Sequence, residues 1–212
     1  ALSTMAGSLD FPDLAEWAST ATLPPWQAGL LAIALIAGPT GKCAQFPLHL
    51  WLDEAMEGPN PASVMRNSTV VGCGAYVLIK LAPVLALSPL GSAVPIALGT
   101  LTAIGASLVA IAQVDIKRAL SHTTSAHLGL VFVAVGLQQT DVALLLLLTH
   151  AIAKSALFVS IGGIVLNTSC QDMRQMGGLW SKMPASTTGF VVGAAGSIAL
   201  LPLGTFWAVS YT

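Results

Sequence analysis

The chain carries too few charges to be solvated by water. Eight Lys and Arg and nine Asp and Glu are spread over 212 residues, 8% of the chain, whereas a soluble domain uses about 25%. Hydrophobic residues make up 55%, and the mean hydropathy is +0.80. A globule of this size cannot cover its surface with so few charges. That excludes a cytosolic enzyme, a nucleic-acid binder and a disordered chain. The net charge of −1 leaves no basic face for phosphates. What remains is an all-α, polytopic transmembrane helical bundle in a lipid bilayer, because no strand-period alternation stands out. The informative residues are then the few charges left inside it.

Residues 1–25 read as an extramembrane loop, with Asp10, Asp13 and Glu16 flanking Trp17 and no basic stretch of a signal peptide. Residues 26–209 read as the bundle, and 210–212 as a truncated end. A crossing helix needs roughly 20 apolar residues, and about six such segments are predicted. The first runs over 26–37, is broken by Gly38-Pro39-Thr40-Gly41-Lys42, and resumes over 47–55. The others are predicted over 62–81, 95–114, 119–137, 142–166 and 185–209, with a polar loop over 167–184. Irregular backbone at membrane depth is tolerated only beside protein or a watery cavity, so the break at Lys42 points to function. Cys43, Cys73 and Cys170 form no CxxC pair and read as small buried residues rather than a metal or disulfide framework.

A charge at the bilayer centre costs at least about 2.5–3.5 kcal/mol, so it must face protein, face water or snorkel. Lys42 sits at the predicted helix break. His150 and Lys154 follow five leucines and are four residues apart, which puts both on one helix face. Both groups can exchange a proton inside the membrane. Lys117 lies beside Asp115 and Arg118 at a junction, where it either forms an interfacial ion pair or lines a path. His122 and His127, with Ser121, Thr123, Thr124 and Ser125, form a polar patch that fits an internal path. Arg66, beside Asn67, either snorkels or lines a path. Lys80 reads as snorkelling, and Asp53, Glu54 and Glu57 as a solvated cap. The proton-relay candidates are Lys42, Arg66, Lys117, His150 and Lys154. No Ser-His-Asp set, phosphate loop or haem motif occurs, so no cofactor or metal site is expected in this chain.

The motifs Gly41-Lys42-Cys43-Ala44-Gln45-Phe46-Pro47-Leu48-His49-Leu50-Trp51-Leu52 and Ala55-Met56-Glu57-Gly58-Pro59-Asn60-Pro61 resemble the core of the antiporter-like subunits of respiratory complex I. Gln113-Val114-Asp115-Ile116-Lys117-Arg118, Thr149-His150-Ala151-Ile152-Ala153-Lys154 and Asp172-Met173-Arg174-Gln175-Met176-Gly177-Gly178-Leu179 resemble further motifs of that family, in the same order. The resemblance is to the subunit-5 type, termed NdhF in photosynthetic NDH-1. The stretch from Gly58 to Ser68 is similar to the cyanobacterial form of the CO2-uptake complexes.

The resemblance implies a proton-translocating subunit of an oxidoreductase that reduces plastoquinone. It further implies a thylakoid membrane, neighbouring antiporter-like subunits, a peripheral CO2-hydration partner, and quinone and Fe–S clusters held in other subunits. By the same resemblance, Lys42 matches the lysine of the broken helix, which pairs with a glutamate on an earlier helix absent from these residues. His150 and Lys154 match the central relay, and Lys117 the lysine of the Asp-Ile-Lys-Arg motif. Two positions depart from the respiratory pattern. Met65-Arg66-Asn67-Ser68 stands where an Ile-His-Ala-Ala stretch is expected, which makes Arg66 the candidate bridging group. Leu146 stands where many respiratory members carry a histidine. The family bundle is roughly fourteen helices or larger, so Ala1 and Thr212 read as fragment ends. Competing readings are the large subunit of a multi-subunit Na+/H+ antiporter, a respiratory subunit 5, and a non-pumping structural piece.

Overall fold

The computed structural model describes residues 2–198, and among them every named element is helical. The segment expected as a loop instead holds two helices, α1 (Leu2–Ala6) and α2 (Phe11–Thr20). The reason is amphipathic spacing. Leu14 and Ala18, four residues apart, pack on Leu81 and Val84, while Asp13 and Glu16 stay exposed.

Helix α3 (Pro25–Lys42) also departs from expectation, because it runs through Pro39 instead of breaking there. A proline removes one ladder bond, and the Thr40 hydroxyl adds one beside it by donating to the Ile36 carbonyl at 2.8 Å. The break comes directly after Lys42. The amides of Ala44 and Gln45 turn back to the carbonyls of Gly41 and Thr40 at 3.3 and 2.9 Å. Ala44 takes φ +50 to do so, a left-handed helix stop that glycine usually supplies. The chain then forms the short α4 (Leu50–Glu54) and a 3-10 turn, Ala55–Glu57.

The predicted second span is α5 (Asn60–Met65) and α6 (Val71–Lys80), joined by a π-helical turn at Arg66–Val70. There the Val71 amide reaches back five residues to the Arg66 carbonyl. After α7 (Ala82–Leu85) come α8 (Pro89–Ala112), α9 (Ile116–Gly136) and α10 (Thr140–Thr168). Helix α8 begins six residues before the expected start, because Ser88 caps it by accepting the Leu90 amide at 3.2 Å. A 3-10 turn (Met173–Gln175), α11 (Leu179–Lys182) and α12 (Pro184–Ser197) complete the described chain.

Six spans were expected, and three helices among the described residues, α8, α9 and α10, are long and apolar enough to cross a membrane. Helix α3 is 18 residues long but contains Gln27, Pro39 and Lys42. The second segment is divided by its π turn, and part of the predicted sixth lies outside the described residues. Helix α9 is central, with 67% of its apolar window buried, against 22% for α8. The outer face of α8 presents Leu101, Ile104, Leu108 and Ile111, a stripe suited to lipid or another subunit. Small residues let α8 and α9 touch backbone to backbone at Gly99 and Gly129.

The predicted polar loop is tied down at one point. The Ile116 amide donates to the Gln171 carbonyl at 3.1 Å, and the Met173 amide to the Val114 carbonyl at 3.0 Å. This clamps the end of α10 to the start of α9. Asp172 accepts from the Arg174 guanidinium at 2.8–3.2 Å and from the Arg174 amide at 2.9 Å. The guanidinium bonds first, and the amide bond second, hold its carboxyl from the ordinary 3.8 down to about 2. A depressed carboxylate adds stability that is present above its unfolded value and fades as pH falls through the folded one. Protection of the Ile116 and Met173 amides from hydrogen exchange should therefore hold from neutrality to about pH 4 and fail only towards the folded value. Loss of protection well above that range would show that Asp172 does not hold the clamp.

Candidate functional site

The titratable residues gather on α9 and on the helices around it. Lys154, on α10, is buried, and its ammonium donates to the Leu120 carbonyl of α9 at 3.1 Å and to the Thr123 hydroxyl. No carboxylate pairs with it among the described residues. It lines a cavity of about 370 Å³ together with His127, Thr123, Ser107 and Phe190. A buried ammonium with neutral oxygen partners and a cavity beside it is placed to give up a proton rather than to form an ion pair.

His150 lies one turn before Lys154 on α10, also buried. Its Nε2 sits 3.2 Å from the Asn67 carbonyl. A carbonyl can only accept, so Nε2 carries the hydrogen and Nδ1 is left as the basic nitrogen of the neutral ring. The Asn67 carbonyl lies within the π turn, where the register of the helix ladder is shifted. The His127 ring of α9 packs against His150 with centroids 4.9 Å apart and planes tilted 35°. His127 Nε2 is buried and has no hydrogen-bond partner among the described residues. The π turn, the two imidazoles and Lys154 thus form one buried polar group across the α5–α6 junction, α9 and α10.

The remaining candidates lie elsewhere. Lys117 is buried at the start of α9, and its ammonium donates to the Gly58 carbonyl at 2.9 Å. It makes no ion pair with Asp115. That carboxylate instead caps α9 by accepting the Lys117 and Arg118 amides at 2.8 and 3.1 Å. Arg66 is half-buried and donates to the Ala55 carbonyl at 2.5 Å, holding the 3-10 turn against the π turn. Lys42 ends α3 against Gly74 of α6, where an added Cβ would meet Lys42 Cβ at 2.9 Å. Its side chain is exposed, apart from the His150 and Lys154 group. Sequence reasoning placed His127 in a polar patch without separating it from His122. The structure separates them: the tilted His127 ring packs on His150, while His122 faces Asp53 and Gln113.

The whole chain, residues 1–212, matches the family model described as NADH:quinone oxidoreductase/Mrp antiporter, TM. It is 58% identical over 207 residues to the NAD(P)H-quinone oxidoreductase subunit 5, organellar chromatophore 2, of Paulinella chromatophora, covering 98% of this chain and 34% of that protein. It is 37% identical over 188 residues to the chloroplastic NAD(P)H-quinone oxidoreductase subunit 5 of Citrus sinensis, covering 84% of this chain and 25% of that one. A chain of the Mrp complex from Dietzia sp. DQ12-45-1b superimposes with a TM-score of 0.88 at 26% identity, over 98% of this chain and 23% of that chain. The chain spans about a third of the length of the first of these relatives. From the buried lysine and histidines to the matched sequence, the chain belongs to the NADH:quinone oxidoreductase/Mrp antiporter family of membrane subunits.

Proposed function

We propose that this chain is part of a proton-translocating subunit of the subunit-5 type in a photosynthetic NAD(P)H- or ferredoxin-plastoquinone oxidoreductase. The observation that carries the reading is the buried group His127, His150 and Lys154, beside a cavity and without a carboxylate partner among the described residues. Lys154 holds or releases the transferable proton, and His150 is fixed in one tautomer by the Asn67 carbonyl. His127 connects the imidazole pair to the Lys154 cavity, which it also lines. Lys42 and Lys117 are the further relay positions, and Arg66 holds the α5–α6 junction through the Ala55 carbonyl. Electron transfer, with its quinone and Fe–S clusters, belongs to partner subunits. The chromatophore and chloroplast names of two relatives support a photosynthetic membrane. We also assign it to the CO2-uptake form with a peripheral CO2-hydration subunit, on the stretch from Gly58 to Ser68.

The test uses the complete complex in sealed vesicles. Plastoquinone reduction should generate a pH gradient that a protonophore collapses and a sodium ionophore leaves intact. Transport that follows sodium would instead favour the antiporter reading. Removing the gene should abolish CO2 uptake at limiting inorganic carbon while leaving dark plastoquinone reduction in place. The opposite pattern would assign the subunit to the respiratory form.

A further inference from the structure

Helix α9 carries a second titratable site on the side away from Lys154. His122 is buried, with Nε2 3.4 Å from Asp53 Oδ1 and 3.3 Å from Gln113 Nε2. Asp53 in turn lies 3.7 Å from Arg118, whose guanidinium reaches Glu57 at 3.1 Å. Exposure rises along this series. The His122 side chain is 7% exposed, Asp53 20%, Arg118 38% and Glu57 77%. The series therefore runs from the outside of the bundle to a buried imidazole.

His122 also lines a cavity of about 210 Å³ with His49, Thr102 and Phe46. Two polar atoms of the chain that follows α3, Gln45 Oε1 and His49 Nδ1, are buried without a hydrogen-bond partner among the described residues, and Asp53 Oδ1 is buried with only the long 3.4 Å contact to His122. Gln45 is fully buried and donates through Nε2 to the Ser125 carbonyl at 3.1 Å. Ser125 lies three residues beyond His122, so the same face of α9 is contacted one turn further on. Buried polar atoms require partners, and His49, with His122 and Thr102, is one of the few polar residues on the wall of this otherwise apolar cavity, which has room for several waters at about 30 Å³ each.

We propose that His122 and Asp53 form a proton-exchange port, which connects the exposed Arg118 and Glu57 to a hydrated cavity and, through His49 and Gln45, to the bundle interior. This rests on the proton-translocating reading above. The charged and titratable groups facing His122 are Asp53 and His49 from the segment after α3 and Arg118 from its own helix. His122 takes a proton on one ring nitrogen from water at the Asp53 side. It releases the other ring proton to water in the cavity, so no other reactant is needed.

The test uses the full-length subunit in its complex, reconstituted in vesicles, with Lys154→Ala as the reference. His122→Gln should slow proton transport on the order of 10²-fold and remove one inflection from the wild type's pH–rate profile. External imidazole should restore much of the rate to His122→Gln and none to Lys154→Ala. Wild-type transport with an unchanged pH profile in His122→Gln would overturn the port, and it would leave the translocation reading standing if Lys154→Ala is inactive. Wild-type transport in Lys154→Ala would sink that reading itself. If His122→Gln fails to assemble, Asp53→Asn, which keeps the shape of the side chain, must show the same slowing, and normal transport in Asp53→Asn overturns the port.

Discussion

Lys154→Ala in the full-length subunit should assemble normally and translocate no protons. Both halves of that expectation follow from what Lys154 touches. Its ammonium is held by the Leu120 carbonyl and the Thr123 hydroxyl. Neither partner is orphaned when it leaves, because the Thr123 and Thr124 hydroxyls already donate to the Leu120 carbonyl at 2.9 and 3.0 Å. The missing side chain enlarges an existing cavity of about 370 Å³ rather than opening a void in a dry core. The change also removes a charge whose desolvation opposes folding. Function has no such reserve, since alanine cannot carry a proton. Transport should fall by at least about 10²-fold, read from a pH-sensitive dye in vesicles, with native electrophoresis showing the intact complex. Lys154→Arg should fail as well, because a guanidinium keeps its proton. Normal pumping by either variant would remove Lys154 from the relay. Loss of the complex in Lys154→Ala would make it a structural residue.

The sequence revealed helix α10 and the placing of His150 and Lys154 on it, and the reason is local. Uninterrupted leucines and a four-residue spacing are properties of one helix, and the observed Thr140–Thr168 extends the expected 142–166 by two residues at each end. Features that depend on a second element were not legible. Asp115, Lys117 and Arg118 read as a charged interruption, yet the carboxylate is an N-cap and α9 starts beside it. Pro39 and Pro95 read as a break and a start, yet both lie inside helices. The π turn is marked by no residue type. It shows in the Val71 amide that reaches back to the Arg66 carbonyl, and its Asn67 carbonyl meets His150. The two histidines of α9 are five residues apart, which separates them by about 140° around the helix. Nothing in the sequence states which one faces α10 and which faces Asp53, because that depends on how α9 is rotated against its neighbours.

That rotation is set where α8 and α9 cross, so Gly129→Val should be strongly damaging although it touches no titratable residue. A Cβ on Gly129 would lie 2.6 Å from the Gly99 carbonyl oxygen and 3.0 Å from the Ala103 backbone nitrogen, and a Cβ on Gly99 would collide with the Gly129 carbonyl. The obstacles are backbone atoms of a packed helix, so no side chain can rotate to relieve them. Overpacking a well-filled site usually costs about 1–3 kcal/mol, and here the clash falls on helix backbones. The added valine methyls increase it. Helix α9 also carries Lys117, His122 and His127 and walls both cavities. A small displacement therefore moves every one of these groups relative to Asp53, Gly58, His150 and Lys154. The full-length Gly129→Val subunit should accumulate poorly and lose most of the assembled complex in native electrophoresis. Any complex that does form should reduce quinone without building a pH gradient. Full assembly with wild-type pumping would show that the crossing can open without shifting the groups on α9, and would break the link drawn between glycine packing and proton transfer.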